Sequence, residues 1–245
     1  MMRGARGCFG GVMRSAPIGG TLPKRPRSSI MVCPASNRAL EARLLESLSS
    51  SNGDVASCSA ELDALLALSE ERGTPFMSED AGQAGIWEQV NQLAFPGRLN
   101  DKQVEVKDYK GLAVYPLAAL SFGLWKDEVL FGVSAVHNEV TVSDTVEDGG
   151  AWHIRTKLYN PEGTGELIAR GFWSPTEDPS QLTVAFEASE LVLESPIHPA
   201  EGAAPEAGRR PLPFAMKAGV ELLYVGDTCR VTRGSKGTLV IATRT

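Results

Sequence analysis

The sequence predicts a mainly β protein: an antiparallel β-barrel, with two short helices before it and a disordered leader before those. Three observations lead there. From about residue 85 onward, apolar and polar residues alternate with the period of two that a strand with one buried and one wet face requires. Clusters rich in Gly, Pro and Asp punctuate that pattern at short intervals, with no helical segment between them. Two β-forming runs separated by Gly234-Ser235-Lys236-Gly237 then end the chain, the layout of a hairpin that pairs a barrel's last strands and removes its open edges.

The first 35 residues contain Arg3, Arg6, Arg14, Lys24, Arg25 and Arg27 and no acid, are rich in Gly, Ala and Ser, and are broken by Pro. That is the composition of an organelle transit peptide; a secretory signal needs an unbroken apolar run, which is absent. A helical segment is expected over 36–80. In "NRALEARLLESLSS" Leu40, Leu44, Leu45 and Leu48 share a face, with Asn37 as the cap. "SAELDALLALSEERG" repeats the pattern with Leu62, Leu65 and Leu66, a Ser59 cap, and Gly73 and Pro75 as stop signals. Helices this short need a surface to dock on.

The barrel is expected over 81–245. "GIWEQVNQLAF" is open between helix and strand: Ile86, Val90, Leu93 and Ala94 have helical spacing, whereas Gly85 and Trp87 suit a strand start. The clearest strand is "AWHIRTKLY", which sets Trp152, Ile154, Thr156 and Leu158 against His153, Arg155, Lys157 and Tyr159. "QLTVAFE" alternates Leu182, Val184 and Phe186, and "EVTVS" Val140 and Val142. Further strands are expected at 103–107, 112–115, 128–134, 166–173 and 190–194, with turns at 148–151, 160–165 and 174–180. The Pro/Ala/Gly-rich stretch 195–213 reads as a long loop, either a disordered insert or a flap at a barrel mouth.

Gly234-Ser235-Lys236-Gly237-Thr238 resembles a phosphate-binding loop only at a glance. Such a loop needs a different glycine spacing and a helix starting at the Lys; here Leu239, Val240 and Ile241 follow, which are β-formers. The hairpin reading stands, with Gly234 and Gly237 supplying positive φ angles. "GTGELIARG" likewise lacks the third glycine of a dinucleotide loop.

The run from Tyr224 to Leu239 resembles the C-terminal signature of the plastid lipid-associated protein (PAP)/fibrillin family. Tyr224, Arg230, Arg233, Gly234 and Gly237 match that signature. Gly226 stands where the family usually has Asp, and Asp227 lies one place on. The likeness extends more loosely to "ALEARLLESL", to Gly85-Ile86-Trp87 and to "LTVAFE", while the usual Leu-Tyr-Thr sequel to Gly-x-Trp is missing. The resemblance implies a lipocalin-like barrel in chloroplasts or other plastids, at thylakoids or plastoglobules. It implies a non-enzymatic protein that binds isoprenoids, carotenoids, quinones or fatty acids, with which the transit-like leader agrees. An alternative is a lipocalin-fold isomerase or cyclase acting on an apolar plastid metabolite.

Charge excludes one class. Seven of the 24 basic residues precede the first acid, Glu41, leaving 17 against 30 acids beyond it, so the body is too acidic for nucleic-acid backbone binding. No stretch has the ~20 apolar residues of a transmembrane helix; peripheral association with a membrane or plastoglobule stays open, and Phe122 to Trp125 could dip into such a surface. Cys8, Cys33, Cys58 and Cys229 have no metal-ligand spacing and read as free thiols, a Cys58–Cys229 disulfide being possible. His137, His153 and His198, expected on a loop, a strand's outer face and the Pro-rich stretch, lie far apart, and no Gly-x-Ser-x-Gly elbow is present. No catalytic, metal or cofactor residue is therefore expected. The candidate lipid-binding or barrel-closing residues are Trp87, Phe131, Trp152, Phe186, Tyr224, Asp227, Arg230 and Arg233. Arg230 and Arg233, three apart on one strand, face opposite ways; one is expected to pair with Asp227 or Glu221 or to meet a lipid head, and the other to be wet.

Overall fold

A computed structural model describes residues 34–72, 84–92, 102–106, 109, 111–125, 129–143, 148–178, 180–194, 208–213 and 215–245. The rest of the predicted leader, the stop signals Gly73 and Pro75, Leu93 and Ala94, Lys107, His198 and residues 195–207 of the predicted loop lie outside them.

Two helices open the described chain, α1 (Pro34–Ser50) and α2 (Ser59–Arg72), joined through a 3₁₀ turn at Val55–Cys58. Proline is favoured in a helix's first turn, where its missing N–H costs nothing. Helix α1 therefore begins two residues inside the predicted leader, and Asn37 lies within it rather than capping it. Ser59 is likewise already helical; the cap is Asp54, whose carboxylate accepts from the Ala56 N–H at 3.1 Å and the Ser57 hydroxyl at 2.6 Å.

The rest is β, apart from one helical turn, α3 (Leu117–Leu120). The strands are β1 (Gly85–Gln89), β2 (Val114–Pro116), β3 (Leu130–Val140), β4 (Gly150–Asn160), β5 (Gly163–Pro175), β6 (Gln181–Leu193), β7 (Arg209–Leu212), β8 (Met216–Val225), β9 (Cys229–Gly234) and β10 (Leu239–Arg244). All pairings are antiparallel. The path β1-β10-β9-β8-β6-β5-β4-β3 returns to β1 through a β1–β3 pairing, so eight strands close an antiparallel barrel of the lipocalin-like kind. Strands β2 and β7 lie off the ring, on β3 and β6.

The strand pattern of 151–159 holds: Trp152, Thr156 and Leu158 are buried and Ile154 is half-buried. The open stretch at 85 is strand β1. Four separate strand expectations merge into two: 128–134 with 139–143 as β3, and 181–187 with 190–194 as β6. Register shifts explain why. A bulge lets a strand bend and change partner without ending, and β3 has one between Val133 and Ala135, while the β5–β6 ladder shifts at Arg170/Gly171. His137 consequently lies within a strand, not a loop. The 103–107 expectation reduces to a single bridge, Val104 to Val114, and β7 occupies part of the predicted 195–213 loop. The terminal hairpin forms as expected, but only Gly237 has a positive φ (82°); Gly234 is the last residue of β9.

Buried side chains cluster at both ends of the barrel. Near the β3–β4 connection, the upper end, Val140, Trp152, Trp173, Leu182, Val184, Phe186 and Leu222 form one core. Near the lower end Phe131, Val133, Leu158, Leu191 and Leu193 pack on Leu117 and Leu120 of α3 and on Trp125. Trp125 is thus a core residue rather than a surface probe; in its neighbourhood Leu124 is the exposed one. A third cluster lies outside the ring. There Leu44, Leu48, Leu62 and Leu65 of the helices cover Tyr224, Cys229, Val231 and Ile241. Cys58 and Cys229 are both free thiols within it.

One buried carboxylate ties the helices to the barrel. Glu41 accepts from the Tyr224 hydroxyl at 2.5 Å, from the Thr228 N–H at 3.0 Å and from the Thr228 hydroxyl. Its oxygen fills the space that a Cβ on Gly226 would need, so the β8–β9 turn has to be glycine there. Glu41→Ala removes the acceptor of the Thr228 N–H and the bond that ties Tyr224 to α1, at a cost of about 2 kcal/mol, or roughly 4–8 °C in Tm for a chain of this size. Gly226→Ala should be as damaging in the wild-type background and milder in Glu41→Ala, where of these groups only the Tyr224 hydroxyl still crowds the new Cβ. Equal Tm losses for Gly226→Ala in both backgrounds would refute the fit.

Candidate functional site

The register of β9 decides which arginine enters the barrel. Cys229 and Val231 point outward to the helices, so Arg230 and Thr232 point inward, and Arg233, beyond Thr232, points out. Arg233 forms an ion pair with Glu221 at 3.0 Å on the exposed face. Asp227, in the β8–β9 turn, pairs with Arg38 of α1 at 3.0 Å, also exposed. The predicted carboxylate partners are both engaged outside the barrel, and the arginine with an ion pair is the wet one.

Arg230 is 1% exposed and has no carboxylate partner among the described residues. Its guanidinium carbon lies 4.9 Å from the Trp87 ring centroid and 5.1 Å from that of Trp152. Arg244, exposed at the end of β10 and level with Trp87 in the ladder, lies 4.7 Å from the same Trp87 ring. Trp152 is fixed by its indole N–H, which donates to Asn138 Oδ1 at 3.3 Å. Asn138 is itself opposite Trp87 across β1–β3. Four strands, β1, β3, β4 and β9, thus converge on one cation with aromatic faces around it. Arg230 Nε and Nη1 are buried without a hydrogen-bond partner.

Burial, and then repulsion by Arg244, brings the Arg230 pKa down to about 9. Its neighbour Cys229 moves the other way. Burial first and then the Glu41 charge push that thiol up to about 12.

Of the remaining candidates, Phe131 lies in the lower core and Phe186 in the upper core. Tyr224 faces the helices, not the lumen, because an extra residue in β8 between Leu222 and Tyr224 turns it outward. His137 and His153 lie 3.8 and 3.9 Å from the half-exposed carboxylates of Glu88 and Glu139. No group of three or more His, Cys, Asp or Glu is placed to hold a metal among the described residues.

The second feature is a seam. Strand β3 gives residues 137–140 to β1 and residues 130–132 to β2, so its two partners diverge at the bulge by Ser134. Below the seam β1 ends, and the Asn91 amide continues its ladder. Asn91 Nδ2 donates to the Leu239 carbonyl at 3.0 Å, and Asn91 Oδ1 accepts from the Ile241 N–H at 2.9 Å. A cleft of about 520 Å³ opens there, with apolar walls from Leu48, Leu112, Ala113 and Val133 and polar walls from Glu88, Gln92 and Thr243. Ala113 and Val133 also belong to the lower core, so cleft and core share walls.

No family model, no curated protein and no solved structure matches this chain. The site is therefore argued from its own geometry.

Cys229 and Arg230 make opposite contributions to alkaline stability. The folded chain keeps a proton on Cys229 that the unfolded chain releases near pH 9, so this group lowers stability as pH rises from about 9 towards 12. The folded chain releases from Arg230 a proton that the unfolded chain keeps, so that group raises stability over the same window. Relative to wild type, Cys229→Ala should gain stability on going from pH 8 to pH 10.5, and Arg230→Met should lose it, by at most about 1.4 kcal/mol per pH unit each. Urea midpoints that stay parallel to wild type for both variants would contradict these assignments.

Proposed function

We propose that this protein is a non-catalytic binder of a small hydrophobic molecule, held by the barrel and admitted through its seam. The observation that carries the reading is the cleft at the β3 bulge. Its volume falls within the range of small-molecule sites, ~300–1,000 Å³, and two of its apolar walls continue into the barrel's lower core. An eight-stranded barrel is also the size at which the interior is either just filled or holds one small ligand.

Two sequence features support a more definite version, in which the ligand is a plastid isoprenoid, carotenoid, quinone or fatty acid. One is the likeness of Tyr224–Leu239 to the C-terminal signature of the plastid lipid-associated family. The other is the basic, acid-free start of the chain. Such a ligand needs no reactive group: each buried methylene contributes about 0.8 kcal/mol. Thylakoid or plastoglobule association belongs to the same reading, as peripheral contact; no described helix is long and apolar enough to cross a membrane.

Native mass spectrometry of the protein purified from its source tests this. The expected result is a lipid of this kind bound at one per chain and released unchanged on unfolding. A chain that carries nothing, and takes up no prenyl lipid or fatty acid when these are added, would overturn the proposal.

A further inference from the structure

We propose that Arg230 is the anchor for an acidic head group: the molecule held in the barrel is an amphiphile with an oxyanion, in the first instance a carboxylate, at one end. The proposal rests on the reading of the barrel as a binding site and specifies what that site selects.

An ion moved out of water is stable only when its charge and its donors are both met. The two indoles meet part of the charge, since a cation over an aromatic face is attracted to it. They do nothing for the donors. Nε and Nη1 are both buried and without a hydrogen-bond partner. A stranded donor on a charged group costs more than one on a neutral group.

Among the described residues no carboxylate is placed to supply the acceptor. Glu221 and Asp227 are taken by Arg233 and Arg38 on the outside. Glu41, the buried carboxylate closest in the chain fold to β9, accepts from Tyr224 and Thr228 on the helix side of the sheet. Arg244 adds a second cation over Trp87 instead of a counter-ion. A buried guanidinium with two unpartnered donors, set beside a second cation at the Trp87 ring, describes a site that an anion completes. Arginine's planar fork suits carboxylate and phosphate oxygens better than a point charge does.

The stack also has a way to admit such a head. Trp87, Arg230 and Trp152 are nearly inaccessible, so no water-sized space stands beside the guanidinium and one ring has to move. Trp152 has Gly171 as its cross-strand neighbour on β5, and that position offers no side chain to hold the ring in place. Trp152 is held by one 3.3 Å bond to Asn138, which a shift of the ring would break. The head then exchanges one aromatic face of Arg230 for a charge-assisted pair of hydrogen bonds, while the tail lies along the apolar interior.

The test compares ligands that differ only in the head, using the full chain and intrinsic tryptophan fluorescence. Dodecanoate is expected to bind at least tenfold more tightly than dodecanol to the wild-type protein. Arg230→Met should remove that preference while keeping dodecanol binding, with its ligand-free Tm unchanged or raised, because an unpaired buried charge is replaced by an apolar chain. Equal affinity of the wild type for dodecanoate and dodecanol overturns the anchor and leaves the binding function standing; this comparison needs no variant. A preference that survives in Arg230→Met also overturns it. Binding of acetate or inorganic phosphate as tight as that of dodecanoate shows a free-anion site and overturns the amphiphile. No binding of either twelve-carbon ligand overturns the anchor by removing the binding function beneath it.

Discussion

The site in the upper barrel depends on one interaction, a guanidinium set against two indoles inside a closed ring of strands. Arg230 comes from β9, Trp87 from β1 and Trp152 from β4. These strands sit at separate points around the ring, so the stack ties together parts of the wall that share few backbone bonds. Closure itself is narrow: β1 reaches β3 through only four residue pairs, 85–88 against 137–140. Trp87 lies within that short ladder, and the cation beside it links the closing strand to the penultimate one. The same arrangement leaves a charge without a counter-ion, an expensive choice for a part that only has to hold a wall together. A methionine or leucine would pack there without stranded donors.

The helices bear on the site from the other side of the sheet. β9 alternates strictly, so each inward residue is fixed by the outward ones: Cys229 and Val231 are buried under α1 and α2, and Arg230 has no choice but the lumen. Glu41 sets where α1 docks, by holding the turn that leads into β9. Lumen chemistry and helix docking are therefore two consequences of one strand register. The bulges do a complementary job. They let β3 and β6 run unbroken from the upper barrel to the lower sheet while exchanging partners, and the cleft is the gap that the β3 exchange leaves.

Much of this was legible in the sequence, and what was not has a physical reason. The alternation of 151–159 was readable because that strand really does have one wet and one dry face. The terminal ribbon was readable because only β-formers follow Gly237. That Arg230 and Arg233 oppose each other followed from strand geometry; which of them faces in did not, because this depends on helices encoded nearly two hundred residues earlier. From sequence, one arginine was expected to pair with Asp227 or Glu221 or to meet a lipid head; Glu221 pairs with the exposed Arg233. Glu41 carried no signal at all, since its partners are 183 and 187 positions away. Strand β1 was ambiguous because Ile86, Val90 and Leu93 imitate a helix face, although Ile86 is in fact exposed on the outer wall. The lengths of β3 and β6 were hidden by bulges, which break the period of two without ending the strand.

The most direct measurement of the central claim is the NMR signal of the Arg230 side-chain Nε–H, assigned by its loss in Arg230→Lys. A guanidinium enclosed by Trp87 and Trp152 gives a resonance shifted by their ring currents, with exchange against solvent slowed far below that of the exposed Arg233. An Arg230 Nε–H at its free-chain position, exchanging as fast as that of Arg233, would mean that the arginine does not occupy the lumen, and the account of the barrel would fail with it.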